Sequence, residues 1–275
     1  MKKEIKRALL KRLLTSKQLK KIQASDIKFP GGIVPIQDTQ PNDVFIVGFP
    51  KSGNTLMQHI IAHLVYGINE EGSRSMVNLI VPDIYANSHY FRFNVRCFFK
   101  SHDLPKPEYK KVIYIMRDGR EVLLSYYHMM KNMGTPVSLE DLYTGKIKLY
   151  NVTWSGHIEQ WESNPYNADV LWMKFEDLKA NKGIELQRIC SFLNIERNAK
   201  DLEKVVRFTA LDHMKEMEKR ADWTKMKKNK FKKGKNFVRK GRLDSFKTEV
   251  SNTLIEKFEK NNYKALERYY PNQNL

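Results

Sequence analysis

Short runs of apolar residues recur along this chain and alternate with longer stretches whose apolar positions are spaced as on one helix face. The apolar runs, which are typical of buried strands, are residues 44–47, 95–99, 112–116 and 170–173. Apolar strands that alternate with helices are the pattern of a parallel sheet that is covered by helices. The chain is therefore predicted to have an α/β fold, with a central parallel sheet flanked by helices.

Helical spacing predicts helices at 56–66, 120–131, 153–162, 183–193, 200–208 and 253–269, with Pro and Gly residues between them. No internal repeat is visible. A chain of 275 residues is long enough for one α/β domain with a well-buried core. A single domain over residues 1–275 is therefore expected.

Three candidate site residues each follow directly after a predicted strand. Lys51 follows the first strand, His102 the second and Arg117 the third. Ligands of open α/β sheets gather beyond the carboxyl ends of the strands. We therefore expect these three residues, which are distant along the chain, to meet at one edge of the sheet.

Residues 44–55 read VFIVGFPKSGNT, a strand that enters a turn with Gly and Pro and then opens a helix. Backbone N–H groups of such a turn and the positive end of the helix form a cradle for a phosphate group. The glycine spacing is that of a Walker A loop, but Asn54 stands where the phosphate-reaching lysine belongs, and Lys51 comes three residues earlier. The glycine spacing keeps a P-loop nucleotide kinase or NTPase as an alternative function. The displaced lysine favours an anionic ligand other than a nucleoside triphosphate.

The chain is strongly basic, with a net charge of +18 and a pI of about 9.7. Residues 219–242 hold twelve Lys or Arg and one acid, Asp222, which predicts a basic mobile segment near the site. No zinc-finger, RRM or KH signature accompanies it, so no specific nucleic-acid partner is expected. Steering of a highly anionic cosubstrate is the preferred explanation of the charge, and a solvated lysine-rich loop with no specific ligand is the alternative. A non-catalytic protein that binds nucleic acid or membranes on the same scaffold is the second alternative.

Residues 1–30 are predicted to form a basic N-terminal helical extension, in which Ile5, Leu9 and Leu13 recur four apart. This helix could pack on its own domain or make weak contact with an anionic membrane. The segment has no apolar run like that of a secretory signal. With only Cys97 and Cys190, the chain has too few cysteines for a disulfide scaffold, so a cytoplasmic location is expected.

Residues 50–55, PKSGNT, resemble the 5'-phosphosulfate loop of sulfotransferases that use 3'-phosphoadenosine 5'-phosphosulfate (PAPS), whose usual form is close to PKSGTTW. Further matches follow in the order of that family of cytosolic-type, small-molecule enzymes. Residues 99–105, FKSHDLP, resemble its K-T-H-L-P segment, with Asp103 inserted. The other similar stretches are residues 111–127, 154–161, 170–178 and the RKG triplet at 239–241. The resemblance implies a P-loop-like sulfotransferase fold.

The resemblance also implies the catalytic roles. His102 would be the general base, a task that suits a side chain whose ordinary pKa is near neutral. Lys51 would stabilise the bridging oxygen as its bond to sulfur breaks. Lys100 would face the sulfuryl group, while Ser125 would contact the 3'-phosphate and restrain Lys51 until substrate is present.

The nucleotide is expected to be held better at its phosphates than at its base. Leu56 stands where the family has a stacking tryptophan, and Phe175 where it has a tyrosine. Thr209 falls at a threonine position and Leu211 at an aromatic one. The full set of expected cosubstrate-binding residues is Lys51, Ser52, Gly53, Asn54, Thr55, Leu56, Arg117, Ser125, Phe175, Thr209, Leu211, Arg239, Lys240 and Gly241.

His59 and His63 lie four apart on one predicted helix, but no third ligand accompanies them, so we interpret both as packing residues. Sulfuryl transfer in the resembled family needs no metal, and none is expected. The predicted reaction moves a sulfuryl group from PAPS to a hydroxyl or amine of a small molecule and releases adenosine 3',5'-bisphosphate (PAP). The acceptor's identity and the oligomeric state stay open.

Overall fold

The structure is a computed structural model that describes residues 32–68, 74–93, 96–219 and 243–271. Its strands are β1 (Gly32–Pro35), β2 (Val44–Val47), β3 (His89–Arg92), β4 (Phe98–Lys100), β5 (Lys111–Met116) and β6 (Asp169–Lys174). Within this part of the chain, β4, β2, β5 and β6 form a parallel sheet in that order. The predicted α/β fold with a central parallel sheet is confirmed.

The predicted strands correspond to the four strands of this sheet, with one shift. The second prediction, 95–99, begins too early, because the strand runs from Phe98 to Lys100 and pairs with residues 44 to 46 of β2. Before it, the Cys97 N–H donates to the buried carboxylate of Asp43, and the Cys97 carbonyl accepts from Val44. Lys100 is therefore part of the sheet itself.

A second, two-stranded sheet was not among the sequence predictions. Strand β1 pairs antiparallel with β3, so that Gly32 opposes Arg92 and Pro35 opposes His89. The guanidinium of Arg92 makes two hydrogen bonds of 2.7 and 2.6 Å to the carboxylate of Asp43, just before β2. This buried ion pair ties the small sheet to the large one.

The helices in the described part of the chain surround the large sheet. They are α1 (Asn54–Tyr66), α2 (Arg74–Ile80), α3 (Gly119–Met133), α4 (Leu139–Tyr143), α5 (Trp154–Ser163), α6 (Phe175–Ala180), α7 (Lys182–Leu193), α8 (Ala199–Phe208), α9 (Leu211–Lys219), α10 (Phe246–Glu249), α11 (Asn252–Asn261) and α12 (Tyr263–Tyr269). Among these described elements, none is long and apolar enough to cross a bilayer.

The prediction of one helix over 253–269 is wrong. The chain forms two helices, α11 and α12, that meet at Asn262, whose φ of −125° is not helical. The Asn262 side chain donates to the carbonyl of Phe258, and its N–H donates to the carbonyl of Glu259. An Asn side chain competes with the helix for backbone partners, which explains the break.

The core lies between the sheet and its helices. The side chains of β2 and β5 are almost all fully buried, as expected for strands with both faces covered. Near one end of the sheet, Phe45 stacks on Tyr109 with 3.8 Å between ring centroids. The expected N-terminal extension (1–30) and nearly all of the basic segment (219–242) lie outside the described residues.

Candidate active site

A cleft of about 520 Å³ lies beyond the carboxyl ends of β2, β4 and β5. It brings together most of the predicted site residues, including the three that follow strands. The predicted residues that line it are Lys51, Gly53, Asn54, Thr55, Leu56, Lys100, His102, Arg117, Ser125, Phe175, Thr209 and Leu211. Ser52 is buried within the loop, and Arg239, Lys240 and Gly241 lie outside the described residues.

The loop before α1 is tightly bent. Lys51 has a φ of 75°, in the left-handed region that non-glycine residues rarely adopt, and Gly53 follows with a φ of 112°. A Cβ at Gly53 would lie 2.8 Å from the ring of Phe175. Gly53 caps α1 without a side-chain hydrogen bond, so the first N–H groups of the helix keep no intrahelical acceptor. The bend thus presents backbone donors at the positive end of a helix.

Ser52 supplies a second sign that this loop suits an anion. Its side chain is fully buried, and its hydroxyl oxygen has no hydrogen-bond partner in the part of the chain that is described. A buried polar group without a partner costs roughly 1–3 kcal/mol. A ligand oxygen would offset that cost, so the loop fits a phosphate or sulfate group.

Asn54, at the Walker lysine position, braces the strand ends. Its amide nitrogen lies 3.2 Å from the carbonyl oxygen of Gly48, after β2, and 3.2 Å from that of Ser101, after β4. The side chain is buried and spans the gap between these two segments. Asn54 therefore has a structural role. Its short, uncharged side chain cannot reach a distant phosphate as the lysine of a Walker A loop does.

The imidazole of His102 is fixed by the same carbonyl of Gly48. Its Nδ1 lies 2.7 Å from that oxygen, and because a carbonyl can only accept, Nδ1 carries the proton and Nε2 keeps its lone pair. Burial, and secondly the charge of Lys100, lower the pKa of His102 to about 4. At neutral pH the ring is therefore an uncharged base that borders the cleft.

The two predicted lysines have different partners. The Lys51 ammonium lies 3.4 Å from the Met129 sulfur, one helical turn beyond Ser125. Lys100 makes a 2.7 Å ion pair with Asp83, and both side chains are largely buried. Burial alone would raise the pKa of Asp83, but the Lys100 charge and hydrogen bond hold it below its usual value. The positive charge of Lys100 is thus paired with a carboxylate.

Asp103, the inserted residue, is the centre of a hydrogen-bond network that the sequence did not predict. Tyr85 donates to one carboxylate oxygen at 2.5 Å, while Tyr109 and Lys106 donate to the other at 2.8 and 2.6 Å. The Tyr85 ring also stacks beside the His102 ring, with 5.9 Å between centroids. Asp103 therefore fixes the aromatic wall next to the histidine.

Arg117 is held in place from three directions. Its guanidinium donates to Glu121 at 2.9 Å and lies over the ring of Phe175, 4.6 Å from the centroid. The main-chain oxygen of Arg117 accepts from the Trp154 indole at 3.0 Å. Ser125, one turn beyond Glu121 on α3, lines the same part of the cleft. These contacts give the guanidinium a fixed direction.

The cleft also has an apolar end, which begins beside the loop where the Phe175 ring lies against Gly53 and Arg117. Leu56 packs against Met214 and Met217 of α9, while Phe175 and Leu211 complete the lining. Thr209 follows the last turn of α8, where its hydroxyl donates to the Val205 carbonyl at 2.7 Å. This end offers contact area for a flat ring and few hydrogen-bonding groups.

Lys179 and Lys182 also line the cleft, and the sequence analysis missed them. The Lys182 ammonium donates to the Thr209 carbonyl at 2.8 Å. Burial, followed by the charge of Lys179, lowers the pKa of Lys182 to about 8. Neither residue belongs to a motif. The sequence indicated them only by their position shortly after Phe175, a predicted site residue. Within the described residues the lining holds five cationic side chains and no Asp or Glu.

His59 and His63 pack in the interior, as their interpretation required. His63 Nδ1 lies 2.7 Å from the Ile68 carbonyl oxygen, and its ring stacks on Phe208. In the described part of the chain, no group of three or more His, Cys, Asp or Glu side chains could hold a metal ion. Independence of metal stays a prediction.

Comparison with known protein families matches residues 41–269 to the sulfotransferase domain. Mouse sulfotransferase 1B1 is 26% identical over 242 residues, 80% of this chain and 81% of that protein. Rabbit amine sulfotransferase is 24% identical over 249 residues, 81% of this chain and 80% of that protein. A crystal structure of retinol dehydratase with androsterone and inactive cofactor PAP has a TM-score of 0.69, with 16% identity, covering 94% of this chain and 97% of that one.

Proposed function

Because this chain belongs to the sulfotransferase family and is an enzyme of sulfuryl transfer, we propose that PAPS is its donor. The acceptor is a hydroxyl or amine of a small molecule, and PAP is the product. Two crystal structures with the same fold, retinol dehydratase and mouse sulfotransferase SULT7A1, carry PAP. The anion-suited loop, the five cations of the cleft and its volume of about 520 Å³ support a nucleotide with three acidic groups.

The observation that carries this proposal is the shared carbonyl of Gly48. It belongs to the segment that enters the phosphate loop, and it accepts the Nδ1 proton of His102 at 2.7 Å. Nε2 is therefore the atom that can take a proton from the acceptor. As the acceptor's oxygen or nitrogen bonds to sulfur, its proton moves to Nε2, and the breaking sulfur–oxygen bond leaves its electron pair on the phosphate.

Lys51 is suited to stabilise the charge that develops on that phosphate. It stands at the bend of the loop and borders the cleft, with its ammonium 3.4 Å from the Met129 sulfur. A thioether is a weak acceptor, so an anionic oxygen would attract the ammonium more strongly. Lys51 is then the cation that acts most in the transition state, while Lys100 remains paired with Asp83.

The 3'-phosphate binds at Arg117 and Ser125. The guanidinium of Arg117 is buried and already oriented by Glu121 and Phe175, which favours recognition of phosphate oxygens by its planar fork. Ser125 adds a hydroxyl on the same side of the cleft. By resemblance, residues 239–241 complete the phosphate site.

A P-loop kinase or NTPase is the weaker alternative, because the amide of Asn54 already bonds to Gly48 and Ser101. Calorimetric titration with PAP and, separately, with magnesium ATP tests the choice. We expect PAP to bind at least about tenfold more tightly, since only PAP carries a 3'-phosphate for Arg117. Tighter binding and turnover of magnesium ATP would contradict the proposal. Steeply salt-dependent binding of nucleic acid without PAP binding would favour the non-catalytic alternative.

A further inference from the structure

Tyr85, in the segment between α2 and β3, is an exposed aromatic residue that is nevertheless held in place. Its exposed fraction is 55%, and exposed side chains ordinarily change rotamer freely. The Tyr85 N–H, however, donates to the carboxylate of Asp83 at 3.0 Å, and the Tyr85 hydroxyl donates to that of Asp103 at 2.5 Å. The Tyr150 hydroxyl lies 3.4 Å from the Tyr85 hydroxyl. The ring is therefore fixed from its backbone to its tip.

The fixed ring lies beside the imidazole of His102. The two ring planes are nearly parallel, with 16° between them. On the imidazole itself, the Gly48 carbonyl holds Nδ1 at 2.7 Å. One hydrogen bond fixes that atom but lets the ring tilt about it, whereas a flat neighbour restrains the tilt. The carboxylate that holds this neighbour is Asp103, the residue inserted into the segment that resembles K-T-H-L-P.

We propose that Tyr85, held by Asp103, is a positioning residue for His102. It keeps the imidazole directed at the cleft and keeps water from one face of the ring. The inference rests on the proposed function, in which Nε2 of His102 takes the acceptor's proton. Without Tyr85 the imidazole would be better solvated, and water favours the charged imidazolium, which cannot act as a base.

The charged groups around His102 leave this task to burial. Lys100 lowers the pKa of His102 and Asp83 raises it, and these two side chains form an ion pair with each other at 2.7 Å. His157, on α5, has a pKa lowered to about 4 by burial, so it is uncharged at neutral pH. The carboxylate of Asp103 is occupied by its own hydrogen-bond donors. Burial is the largest cause of the lowered pKa of His102, so groups that exclude water from the ring control its charge.

The test is an NMR titration of the full chain labelled with ¹⁵N-histidine, from about pH 4.5 to about pH 8, a range that spans the ordinary titration of histidine. The spectrum of His102→Ala assigns the signal. In the wild type we expect a neutral ring protonated at Nδ1 that does not titrate above about pH 5. In Tyr85→Ala the pKa of His102 should rise by at least about half a unit, because the imidazolium gains solvation. Tyr85→Phe, which keeps the ring and loses its bond to Asp103, should fall between the two.

Tyr263→Ala is the matched control. Tyr263, on α12, is 61% exposed, and its hydroxyl donates to the carboxylate of Glu267 at 2.7 Å, so the exposure and the type of bond are those of Tyr85. This variant should leave the His102 signal unchanged. If Tyr85→Ala lowers the melting temperature but shifts the pKa of His102 by less than about half a unit, Tyr85 has only a structural role. That result would overturn the inference, as would a wild-type pKa near the ordinary 6.5.

Calorimetric titration with PAP separates this inference from the proposed function. Tyr85 is not among the residues that line the cleft, so Tyr85→Ala should bind PAP within about threefold of the wild type. Failure of the wild type to bind PAP would refute the proposed function. An unchanged His102 in a Tyr85→Ala protein that still binds PAP would refute only the role of Tyr85.

Discussion

The two ends of the cleft are built differently. At the loop end, the groups proposed to bind the anion are backbone N–H groups, a buried serine and Arg117, which is held by Glu121, and the proposed base His102 is held by Gly48. In the apolar part of the lining, which meets the loop where the Phe175 ring lies beside Gly53 and Arg117, the walls are formed by Leu56, Met214 and Phe175. One lysine there bonds one carbonyl. The first part is therefore suited to a charged group held in a fixed geometry. The second part is suited to apolar contact with a flat ring.

This difference indicates where the chain can tolerate change. A phosphate site depends on several groups that converge, so the loss of one cation or of the base should be severe. A hydrophobic wall depends on shape, so exchange of one apolar side chain for another should cost little. The predictions below sharpen this contrast, in order of decreasing effect.

Replacement of the histidine at the loop end should have the largest effect. In His102→Ala we expect the rate of sulfuryl transfer to fall about 10³-fold, because the acceptor's proton loses its base. Steady-state kinetics with PAPS measures the rate, and calorimetry should show PAP binding within about threefold of the wild type. His89→Ala is the matched control, since His89 is exposed on β3. Transfer within tenfold of the wild type would remove His102 as the base.

Loss of Arg117, at the same end, should weaken the binding of PAP more than the binding of adenosine 5'-phosphate. Arg117→Ala should raise the Kd of PAP about 10²-fold, since a charge-assisted contact with the 3'-phosphate disappears. The Kd of adenosine 5'-phosphate, which lacks that group, should change only about threefold. Arg117→Lys, with charge but no fork, should fall between the two.

Titration calorimetry of both nucleotides on each variant supplies these constants. Equal weakening of PAP and adenosine 5'-phosphate by Arg117→Ala would exclude Arg117 as the 3'-phosphate site. Thermal melting serves as the folding control, because the variant leaves Glu121 without its partner at Arg117.

A hydroxyl added to the apolar end should moderately increase the affinity for PAP. Phe175→Tyr should lower the Kd of PAP about fivefold, since one additional hydrogen bond contributes roughly 0.5–1.5 kcal/mol. Phe192→Tyr on α7, outside the cleft, is the control. If PAP affinity stays unchanged in Phe175→Tyr, the base does not lie against this ring.

The smallest expected change is the effect of pH on kcat/KM. A pKa lowered to about 4 keeps His102 unprotonated, and so able to accept a proton, at all pH values well above 4. We therefore expect kcat/KM to be flat from about pH 7 to pH 5 and to fall about twofold by pH 4. At the ordinary pKa of 6.5, the loss at pH 5 would already be about 30-fold. An acid limb centred near 6.5 would show that the buried, uncharged state is absent in solution.

The large sheet, and the loop residues that line the cleft, could be predicted from the sequence because their signals are local. The strands are continuous apolar runs, and the loop between Gly48 and Asn54 is one uninterrupted motif. The β1–β3 pair was missed because it joins segments that are 54 to 60 residues apart and share no pattern, with Gly32 opposite Arg92 and Pro35 opposite His89. Such pairing depends on tertiary contacts.

The apolar end was predicted less completely for the same reason. Leu56, Phe175, Thr209 and Leu211 were predicted from their positions in a motif, but Lys182 was missed, because its hydrogen bond joins it to Thr209, 27 residues later. Only the packing of α7 against α8 brings them together. Similarly, the pattern over 253–269 is helical throughout, and the break at Asn262 depends on one side chain that donates to the Phe258 carbonyl.

The Gly48 carbonyl receives bonds from His102 and Asn54 and lies where β2 enters the phosphate loop. A Cβ at Gly48 would stand 2.2 Å from the carbonyl oxygen of Ile115, so no other residue fits at this position unless the neighbouring backbone moves. In the proposed mechanism, donor binding and proton removal therefore both depend on this one peptide. Anyone who redesigns the enzyme for another donor will have to reposition its base in the same step, since the two tasks cannot be tuned one at a time.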